Sequence, residues 1–579
     1  MASGASAPST DDLSSAFDAS GIPLRVVTAA SLFDGHDAAI NVMRRLIQAA
    51  GCEVIHLGHD RSALDVVKAA IEEDAHAVAL TSYQGGHMEY FTYIRELLDA
   101  AGREDIRIFG GGGGTITPPE IRDLHAAGIT RIYSPDDGRQ MGLLGMIDDL
   151  VKQASECNLL AQNVSLDKPV TPEQRQKVAR LISMAENADP VSFAQTLKNC
   201  RSRPIETRVP VIGFTGTGGA GKSSLLDELM RRITTQNPEL NVALLCTDPT
   251  RKRTGGALLG DRIRMNTLVS DRLFMRSLAS RASGKELSEK TREAIEVCQA
   301  VGYDLIFVET SGIGQGSDAI TDVSDISLYV MTSEFGAHTQ LEKIEMLDVA
   351  DLVVLNKFEK RGAEDALRAI RKQVKRNRNL FELDDSALPV IPTIANQFAD
   401  PGVDLLWERL SLILSERHGM ILAARQPQLP ESGMPEPQHI IPPERIHYLA
   451  DISRTIRDYH SRTDEMSQKV RLVQQLEATA RHMSSLADGT GSTLSTGAAA
   501  AVADIRIQAD EIRNTIHPMV WSMISGYEEK ATQYRSGTYT YQVRGRDFSV
   551  ETTTQSLAHS SIPRVALPNF ADAGDLLGW

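Results

Sequence analysis

At 579 residues the chain exceeds what one hydrophobic core supports, so a single domain is excluded and three or four are expected. Its 42% hydrophobic and 24% charged residues are those of a globular protein, and a net charge of −15 argues against nucleic acid or an anionic membrane as a broad partner. The five cysteines, Cys52, Cys157, Cys200, Cys246 and Cys298, are scattered without a CxxC pair, which points to reduced thiols in a cytoplasm rather than a disulfide frame or a cysteine zinc site.

Residues 1–20 are small and acidic, lack the apolar stretch of a signal peptide, and read as a frayed, disordered tail. No later run approaches the roughly 18 apolar residues of a membrane span. From 21 to 150, short apolar runs (LRVVTAA, CEVIHLG, AVALTSY, IRIFGG, ITRIYS) alternate with helical patterns such as AAINVMRRLIQAAG and YFTYIRELLDAAG. Such alternation predicts a doubly wound parallel sheet, an α/β fold whose ligands bind beyond the carboxyl ends of the strands. FDGHDAA at 33–39, TSYQGGH at 81–87 and FGGGGG at 109–114 each follow a strand and are expected on one rim.

Residues 151–205 read as polar helices forming a connector. A second alternating α/β region, 206–418, starts with the strand VPVIGFTG and again predicts a parallel sheet under crossover helices. Six prolines in the nineteen residues 425–443 give linker composition. Within the mostly helical 419–570, periodicity predicts helices over 444–486 and 498–530 around a mobile Gly/Ser/Thr-rich interruption at 488–497. From Thr538 the composition becomes strand-like.

GTGGAGKS at 216–223 fills the GxxxxGK(S/T) pattern between a strand and a helix. Gly218, Gly219, Ala220 and Gly221 bring backbone N–H groups round the phosphates, Lys222 reaches the β- and γ-oxygens, and Ser223 offers its hydroxyl to Mg²⁺. Asp248 and Glu309 each end an apolar strand, where a carboxylate can reach the metal or its waters, and Thr310 joins that magnesium set. Asn356, Lys357, Phe358 and Glu359 sit where GTPases carry NKxD to read guanine. Glu359 replaces the usual aspartate with one extra methylene, so GTP is favoured over ATP. Lys222 and Glu309 are the candidate catalytic residues.

TDPTRKRTGGALLGDRIRM at 247–265 and FVETSGIGQGSD at 307–318 resemble the G-protein chaperones of adenosylcobalamin-dependent mutases. That resemblance implies that Asp261 reaches Mg²⁺ and that Arg264 approaches the phosphates. Asp34-Gly35-His36 resembles the opening of the DxHxxG motif of cobalamin-binding domains, which implies an imidazole of His36 on cobalt, oriented by Asp34. Ser82 falls in the family's second motif, and Gly112 and Gly113 lie in a run open to close approach of the cofactor's nucleotide tail. Ala39 stands in place of the motif's last glycine, and Gln84 where a leucine often occurs.

The order cobalamin domain, G-protein domain, helical linker is similar to fused isobutyryl-CoA mutase. The resemblance implies adenosylcobalamin, Mg²⁺ and GTP as ligands, a homodimer, and radical interconversion of isobutyryl-CoA and n-butyryl-CoA gated by the GTPase. Residues 571–579 resemble the approach to the acyl-CoA-binding barrel, which needs about 250 residues. The chain is therefore expected to be a truncated or split form that does not isomerise an acyl-CoA alone. A stand-alone cobalamin delivery chaperone, a corrinoid methyl carrier and a P-loop kinase stay open as alternatives.

Overall fold

The computed structural model describes residues 16–159, 166, 168–204, 208–251, 254–281, 286–312, 318–334, 338–430, 433–437, 441–442, 445–490 and 496–579. Residues 1–15 of the tail expected over 1–20, most of the interruption at 488–497, and 313–317 of the second family-like segment lie outside the described residues or side chains, while Ala16 and Asp18 within that expected tail are buried. The chain forms two compact units, residues 1–438 and 439–579.

The first unit opens with the strands β1 (Arg25–Ser31), β2 (Glu53–Arg61), β3 (Ala77–Thr81), β4 (Arg107–Gly111) and β5 (Arg131–Tyr133). It continues with β6 (Val211–Gly216), β7 (Val242–Asp248), β8 (Ala257–Leu259), β9 (Leu273–Ala279), β10 (Leu305–Glu309), β11 (Ile326–Met331), β12 (Leu352–Leu355) and β13 (Val390–Pro392). They build two parallel sheets, ordered β5-β4-β3-β1-β2-β8 and β13-β12-β11-β6-β10-β7-β9. In β10 the alternation is visible: Ile306 and Val308 enter one apolar cluster, Leu305 and Phe307 the other. Helices on both faces leave these strands no polar side, which is why the sequence reads as continuous apolar runs.

The sixth strand of the first sheet comes from far along the chain. Residues 257–259 pair in parallel with β2, Ala257 opposite Glu53 and Leu259 opposite Ile55. Three residues between glycines are too short for a strand signal, and the pairing is non-local. The helices Arg175–Asn187 and Pro190–Cys200, in the stretch read as a connector, bury Val178, Leu181 and Phe193 in the core of the second sheet.

In the second unit a long helix, Tyr448–Thr490, is followed by helices Thr496–Asn514 and Pro518–Arg535 and the hairpin β14 (Thr538–Val543) and β15 (Arg546–Glu551). The expected helix over 498–530 is thus broken before Pro518, whose ring opens a new helix because it cannot continue the old one. Among the described residues no helix is long and apolar enough to cross a membrane.

Candidate functional site

In the first sheet the strand order reverses between β1 and β3, so the loops after these two strands diverge and leave a crevice. Asp34 and His36 lie in the loop after β1, and Ser82 follows β3. The Asp34 carboxylate is buried and saturated: Oδ1 accepts from the His36 amide at 2.9 Å and faces His36 Nδ1 at 2.8 Å, while Oδ2 accepts from the Tyr83 amide at 2.6 Å. Burial opposes its charge, yet the Tyr83 and His36 amides and the imidazole hold it below the usual carboxylate range. The His36 side chain, by contrast, is 72% exposed, 5.3 Å from the Tyr83 ring. With Nδ1 committed to Asp34, Nε2 is the nitrogen left to a ligand.

Beside this dyad lies a cavity of about 420 Å³ walled by Val42, Met43, Phe109, Tyr133, Leu143 and Met146. Tyr83, Gly112 and Gly113 line it as well. A Cβ on Gly112 would lie 2.1 Å from the Ser82 carbonyl oxygen, so only glycine fits there. Ser31 Oγ donates to Ser82 Oγ at 2.9 Å, which leaves the Ser82 proton to another acceptor. The apolar walls carry no motif.

In the second sheet, Gly219 and Gly221 take φ of +78° and +92° to turn the loop after β6 into the helix Lys222–Gln236. Lys222 is buried and donates to the Gly216 carbonyl at 3.0 Å. Ser223 Oγ lies between two carboxylates, 2.9 Å from Glu309 Oε1, to which it donates, and 3.3 Å from Asp261 Oδ1. The Asp248 carboxylate accepts from the Gly260 amide at 2.8 Å. Burial first, and the charge of Asp261 next, push Asp248 and Glu309 up to about 8, and burial raises Asp261 also. Buried carboxylates that repel one another form a donor set fitted to a divalent cation.

Cys246, paired opposite Glu309, joins Asp261 and Glu309 with ligand atoms within 4.8 Å of one another. The sequence pattern gave it no role. Arg264 stays exposed, 3.7 Å from Asp261. Thr310 is not gathered into this cluster by its hydroxyl, which donates to Thr215 Oγ1 at 3.2 Å.

Asn356, after β12, braces the phosphate loop. Its Nδ2 donates to the Ala220 carbonyl at 2.8 Å, and its Oδ1 accepts from the Ala395 amide and Thr393 hydroxyl, both at 3.1 Å. Lys357 takes φ +58°, Phe358 is buried, and Glu359 is exposed with Asn396 Nδ2 3.5 Å from its Oε1. Thr393, Ala395 and Asn396 were not legible as parts of this site.

Comparison with known proteins agrees with both halves. Residues 24–137 match the B12 binding domain, and residues 178–425 match methylmalonyl Co-A mutase-associated GTPase MeaB. A putative GTPase of Pyrococcus horikoshii is 35% identical over 237 residues, 41% of this chain and 73% of that protein. The chain belongs to the family of that putative GTPase, and its residues 178–425 carry the MeaB-type domain. It is also similar to the fused isobutyryl-CoA mutase of Geobacillus kaustophilus, 44% identical over 96% of the chain and 51% of that protein. The corresponding mutase of Nocardia farcinica is 45% identical over 96% of the chain and 50% of that protein. The chain thus spans about half the length of these mutases and carries their cobalamin-binding and GTPase domains.

Proposed function

We propose that the chain is the adenosylcobalamin-holding, GTP-hydrolysing part of an isobutyryl-CoA mutase, its GTPase gating cofactor loading and protection. The observation that carries this reading is the Asp34–His36 pair: a buried carboxylate fixing an exposed imidazole at 2.8 Å beside a glycine-floored apolar cavity.

His36 would hold cobalt through Nε2, with Asp34 fixing the tautomer and raising the basicity of the ring. Ser82 would donate to the displaced base, and Gly112 and Gly113 would admit the nucleotide tail. When bound, adenosylcobalamin supplies homolysis of a cobalt–carbon bond. At the other site Ser223, Asp248, Asp261 and Glu309 would hold Mg²⁺ or its waters. Lys222 and Arg264 stabilise charge on the transferring phosphoryl, and Asn356 with Glu359 selects guanine. Thr310 supports the site through Thr215.

Cytoplasmic residence belongs to this reading, supported by five cysteines that are all free and buried. A homodimer belongs to it too, supported by the exposed Leu449, Ile452, Ile456 and Tyr459 along one helix.

The test is titration with adenosylcobalamin, followed by the cobalt absorption spectrum. Wild type shifts to a base-off, histidine-ligated spectrum, whereas His36→Ala does not. Equal spectra for the two proteins overturn the cobalt assignment. In turnover assays GTP is hydrolysed well ahead of ATP, and Glu359→Gln narrows that preference by roughly tenfold or more, as loss of a charged hydrogen-bond acceptor implies. Equal GTP and ATP rates in wild type would refute the guanine reading.

A further inference from the structure

One segment of the GTPase is built into both sites. Gly256 packs so tightly on the helix Asp37–Ala49 that a Cβ there would lie 2.0 Å from the Gln48 carbonyl oxygen, and β8 follows directly as the edge strand of the first sheet. The next residue, Gly260, donates its amide to Asp248, and Asp261 Oδ1 lies 3.3 Å from Ser223 Oγ. Arg262 then turns back. Fully buried, it donates to Glu73 Oε1 at 2.8 Å and to Glu72 Oε2 at 2.6 Å, both on the cobalamin-binding side.

Ile263 continues the path. Its Cδ1 lies 2.8 Å from the point a Cβ on Gly58 would occupy, and Gly58 sits at φ +88° in β2. Two residues further, Asp60 accepts the Phe33 amide through Oδ1 at 2.7 Å. Phe33 immediately precedes Asp34-Gly35-His36. Asp60 and Phe33 have φ of +56° and +62°, a left-handed conformation that Asp tolerates but that a bulky residue such as Phe33 takes only with a holding contact.

We propose that residues 257–263, Gly58, Asp60 and Phe33 form a mechanical link between the metal-nucleotide site and the His36 loop, with Asp60 as its positioning residue. Arg262 is clamped between two buried carboxylates, so Asp261 cannot adjust to a metal without moving its neighbours. The yielding end is Ile263 against Gly58, because Ile263, His59 and Asp60 are exposed. Movement there displaces Asp60, and with it the amide that sets the turn presenting His36. Two ligands sharing such an element must influence each other's affinity by one and the same factor.

This inference rests on the cobalamin and GTP assignments above, and the experiment separates the two. Adenosylcobalamin dissociation constants of the full chain are measured without and with Mg²⁺ and a non-hydrolysable GTP analogue. The histidine-ligated spectrum is recorded in each state. Wild type shows a coupling factor of roughly 5- to 150-fold, the same when the analogue is titrated without and with cobalamin.

Asp60→Gly keeps the backbone freedom but loses the acceptor. It binds the analogue within about twofold of wild type, and its coupling factor falls below about twofold. Asp60→Asn, which keeps both an acceptor and tolerance of positive φ, retains the wild-type factor. Ile263→Ala, which leaves the Asp60 contact intact, also lowers it. A wild-type factor of one, or Asp60→Gly and Ile263→Ala both coupled like wild type, would refute the link while leaving the two binding sites standing. Failure of wild type to bind either ligand would sink the functional reading itself and the link with it.

Discussion

At the scale of single residues, the chemistry of both sites comes from carboxylates placed where water cannot reach them. Asp34 is buried yet ionised because three N–H groups point at it, and it ties His36 to the Tyr83 backbone. Asp248 and Glu309 are buried without such donors in sufficient number, so burial and the nearby Asp261 hold them protonated up to about 8. Metal binding needs their ionised forms, so it must expel protons. Mg²⁺ with GDP is therefore expected to release protons at pH 7, and its apparent affinity to rise between about pH 6 and 8 and then level off. Calorimetry in buffers of different ionisation enthalpy checks this. The same raised values make the metal-free fold lose stability as pH climbs from about 4.5 through 8, because the folded state holds protons that the unfolded chain gives up. Cys246 adds no charge in this window, since burial pushes its thiol well above the ordinary value.

At the scale of elements, the junction between the two sheets is ionic. Glu53, opposite β8, receives Arg25 Nε and Arg281 Nε, both at 2.8 Å. Asp74 is held by Arg103 and by Arg180 of the helix Arg175–Asn187. Burial opposes ionisation of Glu53, but the Arg281 and Arg25 guanidinia outweigh it and lower its pKa to about 2, while Asp74 also falls below the carboxylate range. Depressed values contribute stability that is complete above about pH 4.5 and lost as pH falls towards 2. Thermal unfolding is expected to show that loss, on the order of a few kcal/mol, and Glu53→Gln to flatten it. The sequence showed the strands of both sheets and the phosphate loop, because each is a local pattern of apolar runs, glycines and one lysine. It did not show this junction. Arg25, Glu53, Glu73 and Arg262 look like surface charges within their own segments, and only non-local pairing brings them together: β1 against β2 sets Arg25 beside Glu53, and β8 against β2 carries Arg262 to Glu73. The cavity walls were hidden for the same reason, Met43 and Met146 lying about a hundred residues apart.

At the scale of the whole molecule, the described residues carry a cobalamin-binding domain and a GTPase domain, and no closed barrel is among them. Among the described residues the strands make two open parallel sheets and two hairpins. His36, which would hold the cofactor, is 72% exposed, so a reacting centre beside it would be open to solvent. Isomerisation needs walls that exclude water from the reacting centre, the service a closed barrel provides. On the proposed function, GTP hydrolysis and cobalamin binding are expected from these residues without interconversion of isobutyryl-CoA and n-butyryl-CoA. Incubation of the chain with adenosylcobalamin, GTP, Mg²⁺ and isobutyryl-CoA, followed by chromatographic separation of the two acyl groups, decides it. No n-butyryl product is expected above background over many GTP turnovers. Supplying a mutase barrel as a separate polypeptide should restore product, and to a lesser extent with His36→Ala, because the barrel can cover the cofactor but cannot replace the imidazole beneath it. Product formed by the chain alone would place the substrate site within these residues and leave the barrel unnecessary.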